Sequence, residues 1–158
     1  MRPSIYITRK IPNYLLEPYK NKFKFRMWQK EEEPVPKDVL YEEAKNVDGI
    51  LCLLTEEIDY DFLSHASHLK IIANMAVGYD NIDILTAEKF GITITNTPDV
   101  LTETTADLTF ALLMATARRL VEASQFIYNN RWGDWSPFEL AGTDIFNKTI
   151  GIGELVPL

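Results

Sequence analysis

The chain has 158 residues, with 16 Lys+Arg against 23 Asp+Glu for a formal charge of −7. At 46% hydrophobic and 25% charged, it has room for one globular domain, or one domain and the start of a second, and is not a disordered or fibrous composition. The acidic balance argues against nucleic acid or an anionic membrane as the main partner, no apolar run reaches the ~18 residues of a membrane span, and one cysteine excludes an internal disulfide and fits a reducing, cytoplasmic setting. The polar start Met1-Arg2-Pro3-Ser4 is not a secretory signal. Seven glycines fall below the usual ~7%, which is thin for chemistry built on glycine-rich phosphate loops.

Short β-rich runs alternate with helical patterns over the first hundred residues. Ser4–Thr8 reads as a strand, Pro12–Tyr19 as a short helix, and Phe23–Trp28 as a strand alternating with period two. The charged, proline-punctuated run Lys30–Pro36, with Glu31-Glu32-Glu33, reads as a solvated loop. Lys37–Asn46 is helical, and the continuously apolar Asp48–Leu54 suits a central parallel strand. The unit then repeats: helix Asp59–His68, strand Lys70–Asn74, helix Ile82–Phe90, strand Ile92–Thr95. Five strands separated by helices predict an α/β fold, a flavodoxin-like open parallel sheet ending near residue 97.

Asn96-Thr97-Pro98-Asp99 reads as a linker. In Thr104-Thr105-Ala106-Asp107 a threonine precedes a carboxylate by three residues, the form of a capping box opening the strongest helix of the chain. Leu108–Leu113 has one polar residue, Thr109, so the helix should be buried, although little remains of the chain to bury it. A second helical stretch runs to about Asn130, and 129–143 reads as an irregular loop. There Trp132 and Trp135 leave core, pocket and interface open. Lys148–Gly153 reads as the start of a further strand.

Few segments carry chemistry. The loop Met75–Asp83 follows the fourth strand, where open α/β sheets bind ligands. Backbone N–H groups around Gly78 could hold a carboxylate without a cation; a plain turn that needs glycine is the competing reading. Gly151-Ile152-Gly153 is half of a dinucleotide fingerprint, whose third glycine would fall at Val156, with Pro157 where a helix should run. His65 and His68, three apart on one predicted helix, make a poor metal pair without further ligands, and no metal site is expected. Cys52 reads as a small buried residue.

These residues carry a resemblance. Val77-Gly78-Tyr79-Asp80-Asn81-Ile82-Asp83, then Gly91-Ile92, Asn96-Thr97-Pro98 and Thr105-Ala106-Asp107 before an apolar helix resemble the D-isomer-specific 2-hydroxyacid dehydrogenases. Val100–Leu108, Arg118-Arg119-Leu120 and Trp132-Gly133-Asp134-Trp135 are most similar to their glyoxylate/hydroxypyruvate reductase branch. The resemblance implies an NAD- or NADP-dependent oxidoreductase about twice this length, reducing small 2-keto acids to D-2-hydroxy acids. It implies a flavodoxin-like substrate domain over 1–97, and over 98–158 a hinge, helices, a projecting loop and the start of a Rossmann coenzyme domain. It further implies substrate-carboxylate binding by the backbone of Val77 and Gly78, and cofactor contacts from Thr105, Gly151 and Gly153. Homo-oligomerisation through 101–147 is implied as well, with Trp135 in the projecting loop. The family's catalytic Arg, its acidic partner and its general acid/base His match no residue here, so no catalytic residue is assigned. The chain is expected to be cut short inside the glycine motif, Glu154–Leu158 matching nothing in the family, as a frameshift would leave it. By itself it is expected to be inactive and unable to bind the dinucleotide. The alternatives are an interaction module or the unstable remnant of a disrupted gene.

Overall fold

The computed structural model describes residues 2–153. The chain forms two compact units, Met1–Leu101 and Thr102–Leu158.

The first unit is built on a 5-stranded sheet of β1 (Ser4–Ile7), β2 (Lys24–Met27), β3 (Gly49–Cys52), β4 (Ile71–Asn74) and β5 (Thr93–Thr95). Every pairing is parallel and the order is β2-β1-β3-β4-β5, the flavodoxin-like order, with the topological switch between β1 and β3. Helices α1 (Lys37–Ala44), α2 (Tyr60–His65) and α3 (Ile84–Lys89) make the crossovers into β3, β4 and β5. The register sets Tyr6 beside Ile50, Ile50 beside Ile72 and Ile72 beside Ile94. This row joins Leu40, Phe62 and Leu63 of the helices in the core, so the apolar β3 is central, as its sequence predicts. On the other face Ile5, Leu51, Ile71 and Ala73 line an apolar groove with Leu15 and Tyr19.

Several boundaries differ from the sequence pattern for local reasons. Pro12–Tyr19 forms two 3-10 turns, Asn13–Leu15 and Glu17–Tyr19, instead of a helix; Pro18, inside the run, supplies no N–H for α-helical bonding. Asp59 and Asp83 cap α2 and α3, accepting from the Phe62 and Thr86 amides at 2.8 and 3.0 Å. Because α2 ends at His65, His68 lies outside it and the two histidines do not share a helix face. Gly91 follows α3 at φ 70°, the left-handed conformation that glycine adopts without a Cβ penalty.

The second unit holds α4 (Thr102–Ala117) and α5 (Leu120–Tyr128), separated by Arg119 at φ 53°. The expected capping box is not the helix start. A turn over 98–101 leads into helix at Thr102, so Thr104 and Thr105 lie inside the first turns. Neither helix contains a buried residue, contrary to the burial its composition predicts. Gly142 runs against the end of α4, where a Cβ would stand 2.4 Å from the Ala117 carbonyl oxygen. The strand expected over Lys148–Gly153 does not form. Among the described residues it has no neighbouring strand to satisfy its peptide groups, and a lone strand is not stable in water. The unmatched segment 154–158 lies outside the described residues.

Candidate functional site

Parallel strands put all their carboxyl ends on one edge of the sheet, and the segments after β1, β3, β4 and β5 gather there. Thr8 N–H donates to the Leu51 carbonyl at 3.0 Å, Met75 N–H to Cys52 at 2.8 Å, and Thr97 N–H to Ala76 at 2.9 Å. The loop after β4, residues 75–81, is thereby sewn to both of its neighbours.

The carbonyl groups of residues 76–78 are consumed internally. Ala76 O accepts from Thr97 N, Val77 O from Asn96 Nδ2 at 2.8 Å, and Gly78 O from Asn74 Nδ2 at 2.9 Å. The N–H groups of Val77 and Gly78, like those of residues 76 and 79–81, have no acceptor among the described residues, and Val77 and Gly78 are both exposed. A loop with its carbonyls turned inward and its amides free presents partial positive charge without a cation. The geometry also bears on why position 78 is glycine. Gly78 is not in the left-handed region, and a Cβ there would meet only Asp80 Oδ2 at 3.9 Å. The turn itself does not require glycine. What its missing side chain provides is open access to the peptide plane.

Beneath the loop lies a polar network that sequence reading did not assign. Glu56, 3% exposed, accepts through Oε2 from Thr8 Oγ1 at 2.6 Å and from the Leu53 amide at 2.8 Å. Its Oε1 accepts from Thr55 Oγ1 at 2.7 Å, with the Arg9 guanidinium 3.6 Å away. The sequence signal was present but faint: Thr8 continues the inward-facing row of β1, and Asn74 holds the inward parity of Ile72 on a central strand. A polar residue at such a position needs a partner. Cys52, fully buried nearby, has its thiol pushed up to about 12 by burial and, secondarily, by the Glu56 carboxylate, which suits packing and not nucleophilic work.

The remaining expected site residues are not brought together. Thr105 is exposed, its carbonyl accepting from Thr109 Oγ1 at 2.7 Å. Gly151 and Gly153 lie in irregular, exposed chain, and a Cβ at either would meet nothing within 4 Å. A pyrophosphate cradle needs a strand leading into a tight turn with closely packed backbone; the described residues do not form one and do not fit a dinucleotide. Trp132 and Trp135 are exposed at 64% and 81%, so neither packs in a core. His65 and His68 are exposed, and no group of metal-ligating side chains occurs among the described residues. No helix among them is long and apolar enough to cross a membrane.

The family described as D-isomer specific 2-hydroxyacid dehydrogenase, catalytic domain, matches residues 5–136. The chain belongs to this family. Among its dehydrogenase relatives it is 46% identical to the "Glyoxylate reductase" of Thermococcus onnurineus and 45% identical to that of Pyrococcus horikoshii, each alignment covering 96% of this chain and 46% of the relative. The crystal structure of TT0316 protein from Thermus thermophilus superimposes with a TM-score of 0.83 at 34% identity, over 90% of this chain and 45% of that one. D-Lactate dehydrogenase from Aquifex aeolicus shares the fold, with a TM-score of 0.71 at 20% identity. The chain thus spans about half the length of the curated relatives it matches.

Proposed function

We propose that this chain is the carboxylate-holding part of a 2-keto acid reductase of the glyoxylate/hydroxypyruvate type, with Val77 and Gly78 as the residues that hold the substrate. The observation that carries the reading is the pairing pattern of one loop. The carbonyls of residues 76–78 are all bonded inward, while the neighbouring amides face solvent unpaired. Free peptide N–H groups at the carboxyl edge of a parallel sheet suit a carboxylate oxygen pair, exposed Val77 and Gly78 among them, and a carboxylate held there leaves its 2-keto carbon projecting from the edge. Reduction of that carbon uses NAD(P)H in this family. In the whole enzyme Thr105, Gly151 and Gly153 would belong to the cofactor-binding part and the general acid would come from residues outside these 158, so the chain by itself has no turnover. A cytoplasmic setting belongs to the same reading, supported by a lone, buried, reduced Cys52.

Titration of the 15N-labelled chain with glyoxylate tests this. Saturable shifts confined to the Val77 and Gly78 amides and their neighbours are expected, with no oxidation of added NADH. Unmoved Val77 and Gly78 signals would overturn the carboxylate assignment, and NADH-dependent turnover at ordinary enzyme concentrations would overturn the inactivity.

A second reading concerns association. Leu108, Phe110 and Leu112 of α4 and Val121 of α5 are each more than half exposed, and large apolar side chains left exposed in this number suit an interface. A homo-oligomer through residues 101–147 accounts for it. Sedimentation at rising protein concentration should show association, and a monomer throughout the range would overturn it.

A further inference from the structure

We infer that Asn81 is a positioning residue: its carboxamide fastens the anion-facing loop to the end of β3, so that the Val77 and Gly78 amides are already in place when a ligand arrives. The inference rests on the carboxylate-holding reading above. Asn81 lies three residues beyond Gly78 and does not itself face the free amides. Its Nδ2 donates to two carbonyls of the segment after β3, Leu53 O at 3.1 Å and Glu56 O at 2.9 Å. Its Oδ1 accepts at 3.2 Å from Asn74 Nδ2, the same group that donates to Gly78 O at 2.9 Å. The main chain repeats the attachment: Ile58 N–H donates to the Asn81 carbonyl at 2.8 Å, and Asp83 N–H to Ile58 O at 2.9 Å.

The chemistry of the tip explains the residue type. A carboxamide offers two donors and an acceptor at one end of a short stem, and all three are used. Aspartate has the same shape but no donors when ionised, and would set a negative charge against two carbonyl oxygens. Serine keeps one donor. Glutamine carries an extra methylene into a half-buried site. No other donor among the described residues reaches Leu53 O or Glu56 O, so these two carbonyls depend on the Asn81 side chain while the main-chain bonds hold the loop beside them. Through Glu56 it continues to Thr8 at the end of β1, joining the loop to both strands at the topological switch.

A staple that only stabilises the fold would lower the melting temperature without changing the loop, so the loop must be read directly. In the full chain without ligand, 15N relaxation should give order parameters near about 0.85 at Val77 and Gly78, falling below about 0.6 in Asn81→Asp. The Kd of the folded variant for glyoxylate should rise about tenfold, the loss expected from one net hydrogen-bonding contribution. Asn46→Asp, which removes a bond of the same type to Glu42 O in α1, should move neither quantity. Order parameters at Val77 and Gly78 unchanged in Asn81→Asp would overturn the inference, whatever happens to stability. If the unaltered chain fails to respond to glyoxylate while the loop still loosens in the variant, the substrate reading falls and the positioning role stands. Should Asn81→Asp not fold, Asn81→Ser must give intermediate order parameters. Should neither fold, the side-chain amide protons of Asn81 in the unaltered chain must exchange about tenfold more slowly than those of Asn46, and equal rates would overturn the inference.

Discussion

Two phenylalanines measure the difference between the two compact units. Phe62 of α2 is 0% exposed, edge-on to Tyr41 with ring centroids 5.3 Å apart. Phe110 of α4 is 61% exposed. The sheet unit closes its core with its own helices, whereas the helical unit carries more apolar composition than it buries. Hydrophobicity in a sequence states a demand for burial, and only the number of elements available to stack decides whether it is met.

The contrast can be broken most sharply by truncating both rings. Phe62→Ala should cost about 3–5 kcal/mol in urea denaturation, while Phe110→Ala should stay within about 0.5 kcal/mol at concentrations where the chain is monomeric. Equal losses would mean that α4 is packed in solution. Removing a carboxylate charge gives the next largest effect. Glu56→Gln leaves a buried network short of an acceptor and should cost about 1–3 kcal/mol, whereas Glu122→Gln in α5, exposed beside Arg119, should leave the denaturation midpoint unmoved. Gly91→Ala forces a Cβ onto a positive φ and should cost about 1 kcal/mol, measured by the same unfolding curve.

The smallest effect at ordinary pH, and the most diagnostic, is alkaline. Burial pushes both Tyr6, with help from Glu43, and Cys52 up to about 12 from ordinary values of 10.0 and 9.0. The unfolded chain therefore releases these protons first. Stability is complete below about pH 9 and falls as pH rises toward 12, which denaturation midpoints at pH 8 and 10.5 would register. The same burial predicts that a thiol reagent leaves Cys52 unlabelled until the chain unfolds. Labelling of the native chain at the rate of a free thiol would contradict the closed core of the sheet unit.

The sheet was legible in the sequence because its signals are local and repeated. Apolar runs such as Asp48–Leu54 need no knowledge of distant residues. The capping box at Thr104 misled because the turn before it already supplies a helix start. The strand at 148–153 failed because strand formation depends on a neighbour, which a window of sequence does not contain. Of the candidate site, Gly78 was visible as a glycine in a strand-to-helix loop. The side chains that shape that loop, Asn74, Asn81, Asn96 and Glu56, were not, since their bonds reach across 19 to 48 positions: Asn96 to Val77, Asn74 to Cys52, Asn81 to Glu56 and Glu56 to Thr8.

The unpaired amides of the loop after β4 have a consequence in ionic strength. The loop's own partners, Asn74, Asn81, Asn96 and Thr97, are uncharged, and peptide dipoles do not titrate. An anion approaching the loop meets a chain of net charge −7 with only short-range dipoles to receive it. Added salt screens that repulsion over a Debye length of about 8 Å at 0.15 M, so capture of a carboxylate should quicken as salt is raised. A site built from lysine or arginine would respond in the opposite sense.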